Sequence, residues 1–255
     1  MPQPLPSPPP AASPEPLPLL NPNPRVDVVP IVDGHRCVVI DDFMLEPQAL
    51  VDYAARHHAH FRDDPRNYYP GPELPLAGTF AARLQDCFLQ HVRGPLGARR
   101  LLGMSSRLSL VTRGPDQVLP AQRLPHRDAD GLPAGEGVAA MVLYLFQDER
   151  YGGTSFFRPR VPLPDITAML RELKRQELAG AAPAPALDFP STFAIGSSRW
   201  FDKVLTVAPR YNRAIFYDGA LFHSGDLHTP GLMVDDPLAG RLTVNAFFRV
   251  RMAAA

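Results

Sequence analysis

The chain has 255 residues, 26 basic and 26 acidic side chains, 45% hydrophobic residues, two cysteines and 31 prolines. This is enough for one large domain or two small ones, and the zero net charge excludes nucleic-acid binding by bulk electrostatics. The longest uncharged apolar run, the nine residues Val138 to Phe146, falls well short of the roughly 20 needed for a membrane helix.

Eleven prolines fall within the first 24 residues. Proline fixes φ and offers no backbone donor, so residues 1–24 read as an extended, disordered tail. The N-terminus lacks the basic segment and apolar core of a secretory signal. Cys37 and Cys87 are too few for a disulfide framework and fit a reducing compartment. The expected setting is cytoplasmic, with no nucleic-acid or membrane partner.

Val26 to Phe43 reads as two strands around an Asp33-Gly34 turn. Leu45 to Phe61 reads as a helix, with Leu45, Ala49, Leu50, Tyr53, Ala54 and His57 at three- and four-residue spacing. A second helix is expected over Thr79 to Val92, and Tyr68 to Pro72 between them is an aromatic turn. After Gly103 the chain turns to short strand-like runs broken by Gly, Pro, Asp or Asn: Ser105 to Thr112, Val138 to Phe146, Thr154 to Arg158, Lys203 to Ala208, Arg213 to Tyr217 and Arg241 to Arg251. Asp165 to Ala179 interrupts them as an amphipathic helix capped by Asp165, followed by a spacer at Ala181 to Pro185. The expected layout is a tail (1–24), an N-terminal α/β supporting region (25–102) and a mainly β core (103–255) with a helical insertion at 165–190.

Three features carry chemistry. In extended chain, His126 and Asp128 of His126-Arg127-Asp128 project to one side, so an imidazole and a carboxylate can meet one metal ion; the alternative is a loop histidine bonded to a carboxylate. His223 follows the apolar run after Asp218-Gly219 and is either a ligand or a packed core residue. His228, in a polar turn, is the weaker competitor. In the last strand Arg241, Thr243 and Asn245 share one face, while Leu242, Val244, Ala246, Phe248 and Val250 share the other. The second face is core. The first is solvent-exposed or looks into a cavity, where a guanidinium and a hydroxyl suit a carboxylate. Two histidines and one carboxylate also form the facial triad of non-haem Fe(II) oxygenases.

The ordered set His126-x-Asp128, His223, Arg241-x-Thr243 resembles the 2-oxoglutarate/Fe(II)-dependent dioxygenase superfamily, nearest its prolyl 4-hydroxylase-like branch. Ser106 to Thr112 leading into Pro125 to Asp128, Ala139 to Phe146 leading into Gly152 to Phe157, and Val38 to Phe43 are similar to further elements of that branch. The likeness runs in short islands from Val38 to Val250. It departs from the pattern in the 18-residue step from His223 to Arg241, longer than is usual there, and in the helical insertion.

The resemblance implies a mainly β fold with flanking helices, built on a double-stranded β-helix (a jelly-roll, cupin-like core). It implies that His126, Asp128 and His223 hold Fe(II), that 2-oxoglutarate and O2 are co-substrates, and that Arg241, Thr243 and Tyr144 bind the distal carboxylate of 2-oxoglutarate. The substrate would be a peptide, amino acid or small metabolite. Arg123, Arg127 and Arg158 flank the expected site, and Trp200 either lines its entrance or packs. Three rivals are a cupin-type metalloenzyme that does not need Arg241, a non-catalytic jelly-roll binding module, and a zinc hydrolase using the same three ligands.

Overall fold

The computed structural model describes residues 17–64, 69–129, 131–180 and 191–253. The remainder of the expected tail (1–16), Tyr68 of the aromatic turn and the spacer at Ala181 to Pro185 lie outside the described residues.

The chain opens with β1 (Arg25–Pro30) and β2 (Arg36–Asp41), antiparallel partners. Their turn places Asp33 and Gly34 at φ 52° and 83°, the left-handed region that Gly and Asp tolerate best. Helix α1 (Pro47–Arg56) follows, ending earlier than its periodicity predicts and passing into a 3-10 turn at His58–His60. Next come β3 (Glu73–Leu76) and α2 (Thr79–Cys87), the latter running on through a π-turn to Val92. The core strands are β4 (Ala98–Val111), β5 (Glu136–Tyr144) and β6 (Thr154–Pro159). Helix α3 (Leu163–Leu178) then separates β6 from β7 (Phe201–Val207), β8 (Arg213–Asp218), β9 (Phe222–Gly225) and β10 (Arg241–Met252). Asp165 was expected to cap α3. Instead the helix begins at Leu163, with a proline in its first turn and no side-chain cap, a position where a missing N–H costs nothing.

The strands form a seven-stranded sheet, ordered β1-β2-β8-β5-β10-β4-β3, and a three-stranded sheet, ordered β7-β6-β9; every pairing in both is antiparallel. An isolated bridge from His126 to His223 extends the smaller sheet past β9. In chain order β4, the His126 segment, β5, β6 with β7, β8, β9 and β10 pass back and forth between the two sheets. This alternation makes a jelly roll, the mainly β architecture expected from the sequence.

β10 shows how the sequence sets the layers. Leu242, Val244, Ala246, Phe248 and Val250 are buried against α1 and α2, in one core with Leu50, Phe80, Leu84 and Phe88. Phe88 and Phe248 stack at 4.5 Å. Each large side chain here contributes roughly 1.5–3 kcal/mol by leaving water. The alternate residues point between the sheets, where Tyr144, Phe146, Phe156, Ile215 and Tyr217 form the second core. A third cluster, with Ile166, Met169 and Leu173 of α3, covers Phe157, Phe201 and Phe222 of the smaller sheet, and Trp200 packs against it.

Two strands have no clear sequence signal. β3 is four residues long and contains Pro75, tolerated because β3 is the edge strand. β9 is equally short. Leu17 to Pro24, which composition groups with the tail, lie against the body: Leu20 bridges Met44, and Arg83 donates to the Leu17 carbonyl at 2.7 Å. Among the described residues no helix is long and apolar enough to cross a membrane.

Candidate metal centre

One ligand atom from each of His126, Asp128 and His223 lies within 4.8 Å of the others, and among the described residues no other group of three His, Cys, Asp or Glu side chains meets in this way. Asp128 Oδ2 is 3.2 Å from His223 Nε2, and Asp128 Oδ1 is 3.8 Å from His126 Nε2. The two imidazole rings are 4.4 Å apart.

Backbone pairing brings them together. His126 and His223 each donate an N–H to the other's carbonyl at 3.0 Å, and the Asp128 N–H donates to the Gly219 carbonyl at 2.8 Å. The extended segment therefore carries His126 and Asp128 on one side, as period two requires. Gly219 allows the approach. A Cβ there would sit 3.0 Å from the Asp128 Cβ and 2.9 Å from the Val138 carbonyl.

The electrostatics favour a cation. The Nδ1–H of His223 donates to the Leu221 carbonyl at 2.9 Å, which in the neutral ring leaves the Nε2 lone pair facing Asp128. Burial alone would raise the Asp128 carboxyl, but His223, His126 and Arg107 outweigh it and hold its pKa below the ordinary carboxylate value. Burial would likewise depress His223, and the Asp128 carboxylate outweighs it, so this imidazole is raised. His126 opens to the cavity, yet withdrawal from bulk water and the nearby His223 hold it down to about 4, a neutral ring with a lone pair to offer. Asp128 Oδ2 is buried and, despite its short distance to His223, has no hydrogen-bond partner. A buried carboxylate oxygen without a partner is costly, and a cation held by the two imidazoles would satisfy it. His228 lies elsewhere: its Nε2 is 2.6 Å from Asp226 Oδ2, and Lys203 holds the other oxygen at 2.7 Å.

The three residues line a cavity of about 510 Å³ between the sheets. Arg241 lines it too, only 4% exposed. Its Nε donates to the Tyr151 carbonyl at 3.0 Å, and one Nη donates to the Gly152 and Gly153 carbonyls at 3.3 and 3.2 Å. The other Nη makes no hydrogen bond among the described residues. Thr243 neighbours it on the same face, fully buried. The Tyr144 hydroxyl bonds Thr154 Oγ1 at 2.8 Å. Thr154, rather than Tyr144, reaches the cavity wall.

Sequence reasoning missed several cavity residues. Tyr69, part of a turn expected either to form a lid or to cover the core, brings its hydroxyl to Thr243 at 3.4 Å and to Asn245. Glu73 on β3 is buried in the wall, accepting from Ser109 at 2.8 Å and from Arg107 at 3.2 Å. Helix α3 supplies Leu163, Thr167, Leu170 and Lys174, one helical stripe, to the outer part of the cavity. The partners of Tyr69 and Glu73 lie too far along the chain to leave a local pattern. The amphipathic spacing of α3 marks the face of Ile166, Met169 and Leu173 that packs on the smaller sheet, but nothing in it names the stripe that borders the cavity.

Residues 22–248 match the family model described as a family of unknown function, DUF6445. The chain belongs to that family. A sequence search of curated proteins finds no match to this DUF6445 member. Among solved structures it is similar to HygX from Streptomyces hygroscopicus, seen with nickel, 2-oxoglutarate and hygromycin B bound, at 15% identity over 86% of this chain and 84% of that one, with a TM-score of 0.43. It is also similar to an N-substituted L-amino acid dioxygenase from Burkholderia ambifaria AMMD, at 12% identity over 83% and 81% of the two chains, TM-score 0.34. The complex of that dioxygenase with alpha-KG gives 11% identity over 84% and 81%, TM-score 0.35.

Proposed function

We propose that this DUF6445 member is a non-haem Fe(II)- and 2-oxoglutarate-dependent oxygenase that hydroxylates an unactivated C–H bond of an amino acid, peptide or small metabolite. The observation that carries the reading is the convergence of His126, Asp128 and His223 ligand atoms within 4.8 Å of one another, in the same cavity as a buried arginine with one free arm. Assignment to the prolyl 4-hydroxylase-like branch rests on the order of these motifs.

His126, Asp128 and His223 would hold the iron, a donor set that leaves coordination positions for ligands. Iron supplies the chemistry that couples decarboxylation of 2-oxoglutarate, to succinate and CO2, with transfer of one oxygen atom of O2 to the substrate. The protein's part is positioning. His223 is fixed in tautomer by the Leu221 carbonyl, and Asp128 is fixed by its backbone bond to Gly219. The free arm of Arg241 would pair with the distal carboxylate of 2-oxoglutarate, with Thr243 beside it and Thr154 braced from behind by Tyr144. Tyr69, Phe247 and Leu227 wall the cavity and limit water. Both cysteines are free and buried, which supports the reading of a reducing, cytoplasmic setting.

The test is succinate formation from 2-oxoglutarate in air by Fe(II)-loaded protein, for wild type and Arg241→Lys. The reading expects Fe(II)-dependent succinate and a KM for 2-oxoglutarate raised at least tenfold in the variant. Iron binding without 2-oxoglutarate turnover, or an unchanged KM, would favour the cupin-type rival.

A further inference from the structure

Three tyrosines enter the core between the sheets: Tyr144, Tyr151 and Tyr217. A buried phenol normally gives its hydroxyl a partner, because leaving it unpaired costs free energy. Tyr144 bonds Thr154 Oγ1 at 2.8 Å, and Tyr151 donates to the Leu232 and Ala239 carbonyls at 3.1 and 2.7 Å. Tyr217 is also buried, 3% exposed, yet its hydroxyl has no hydrogen-bond partner among the described residues.

The sheet fixes where this hydroxyl stands. Tyr217 lies in β8, paired with Cys37 of β2 on one side and Ala140 of β5 on the other. Its ring packs edge-on against His223 and Phe156, with centroids 4.7 and 5.0 Å away. It lines the same cavity as His126, Asp128, Thr154 and Arg241. The hydroxyl feels the charge of Asp128 and the Tyr144 phenol, and Tyr144 in turn feels the Arg241 guanidinium. Tyr217 therefore stands between the metal ligands and the arginine, along the span that a 2-oxo acid would bridge. A phenol at neutral pH is a donor, so the group that completes its bonding brings an acceptor oxygen.

We propose that Tyr217 is a further co-substrate residue, whose hydroxyl donates a hydrogen bond to the 2-oxo acid end of 2-oxoglutarate, the end at His126, Asp128 and His223, while Arg241 takes the distal carboxylate. This rests on the oxygenase reading. The hydroxyl is held in place by β8 with no competing partner, so binding breaks no protein hydrogen bond to make the new one. A hydrogen bond to an ionised acceptor is also stronger than the neutral bond between Tyr144 and Thr154.

The test is Tyr217→Phe, which keeps the ring on His223 and Phe156 and removes only the hydroxyl, with Tyr144→Phe as the contrast. In the apoprotein the thermal midpoint of Tyr217→Phe should equal or exceed that of wild type, since no protein bond is lost, whereas that of Tyr144→Phe should fall. Fe(II) affinity, by anaerobic calorimetry, should stay within twofold of wild type. The 2-oxoglutarate concentration that half-saturates the Fe(II)-loaded protein, read from the visible charge-transfer band of the chelate, should rise about fivefold or more in Tyr217→Phe. The band itself should shift in energy, because the lost hydrogen bond falls on the end that meets the iron. Loss of Fe(II) affinity, an apoprotein destabilised as in Tyr144→Phe, or a band unchanged in position or in half-saturation each overturns the role of Tyr217 while the oxygenase reading stands. No band in wild-type protein sinks that reading, and this inference with it.

Discussion

His126 and His223 form a reciprocal backbone pair, each N–H donating to the other's carbonyl at 3.0 Å. The ring separation of 4.4 Å follows from this pairing, so main-chain register places the two imidazoles side by side and no loop has to close around a cation. Replacing either side chain leaves the pairing intact. His126→Ala, which removes an imidazole that opens to the cavity, should leave the thermal midpoint within a few degrees of wild type. Metal affinity should fall by more than the roughly 10–100-fold typical of changes around a ligand. Metal content after dialysis, read with circular dichroism melting, separates the two effects.

Gly219 should be intolerant of a methyl group. The added Cβ would press on the Asp128 Cβ at 3.0 Å and on the Val138 carbonyl at 2.9 Å, and the cheaper movement is that of the Asp128 segment. Gly219→Ala is expected to weaken metal binding about tenfold with a folded protein remaining. Isothermal titration with Fe(II) under anaerobic conditions measures it, and wild-type affinity would show that the segment relaxes without moving the carboxylate.

Arg241 has two tasks that two substitutions separate. Three carbonyls depend on it, so Arg241→Ala should destabilise the fold by about 2–4 kcal/mol, read by urea denaturation. Arg241→Lys keeps a cation and at least one of those bonds but loses the planar fork. Its stability loss should be smaller, while its loss of 2-oxoglutarate affinity remains large.

Asp41 governs acid stability away from the cavity. Its carboxylate is nearly fully buried and accepts from Arg213 Nε at 2.6 Å and Nη2 at 3.0 Å, and from Arg210 at 3.2 Å. The Arg213 hydrogen bonds hold its pKa below the ordinary carboxylate value. The resulting stabilisation is fully present above that ordinary value and is lost as pH falls through the depressed one. Asp41→Asn should cost about 3 kcal/mol near neutrality. The gap from wild type should shrink in strong acid, below the depressed pKa, in chemical denaturation at a series of pH values.

Much of this could be read from the chain because it is locally periodic. The β10 alternation by itself separates the face of Leu242, Val244, Ala246, Phe248 and Val250 from that of Arg241 and Thr243, and His126-x-Asp128 shows its shared face through the strand period. The rest depends on pairings with no local trace. Tyr69 meets Thr243, and Glu73 meets Ser109 and Arg107, because β3 joins the edge of the sheet beside β4, a placement that a four-residue segment with a proline does not announce. Helix α3 was legible as an amphipathic insertion. That its apolar face covers the smaller sheet while Lys174 borders the cavity is set by packing alone.

The central claim is that one ion and one 2-oxo acid bind together in this cavity. Anaerobic titration of the apoprotein with Fe(II) and then 2-oxoglutarate tests it without knowledge of the substrate. A weak visible charge-transfer band should appear only when both are present, saturate at one equivalent of iron, and vanish in His223→Ala. Absence of the band in wild-type protein, or its persistence in that variant, would contradict the assignment.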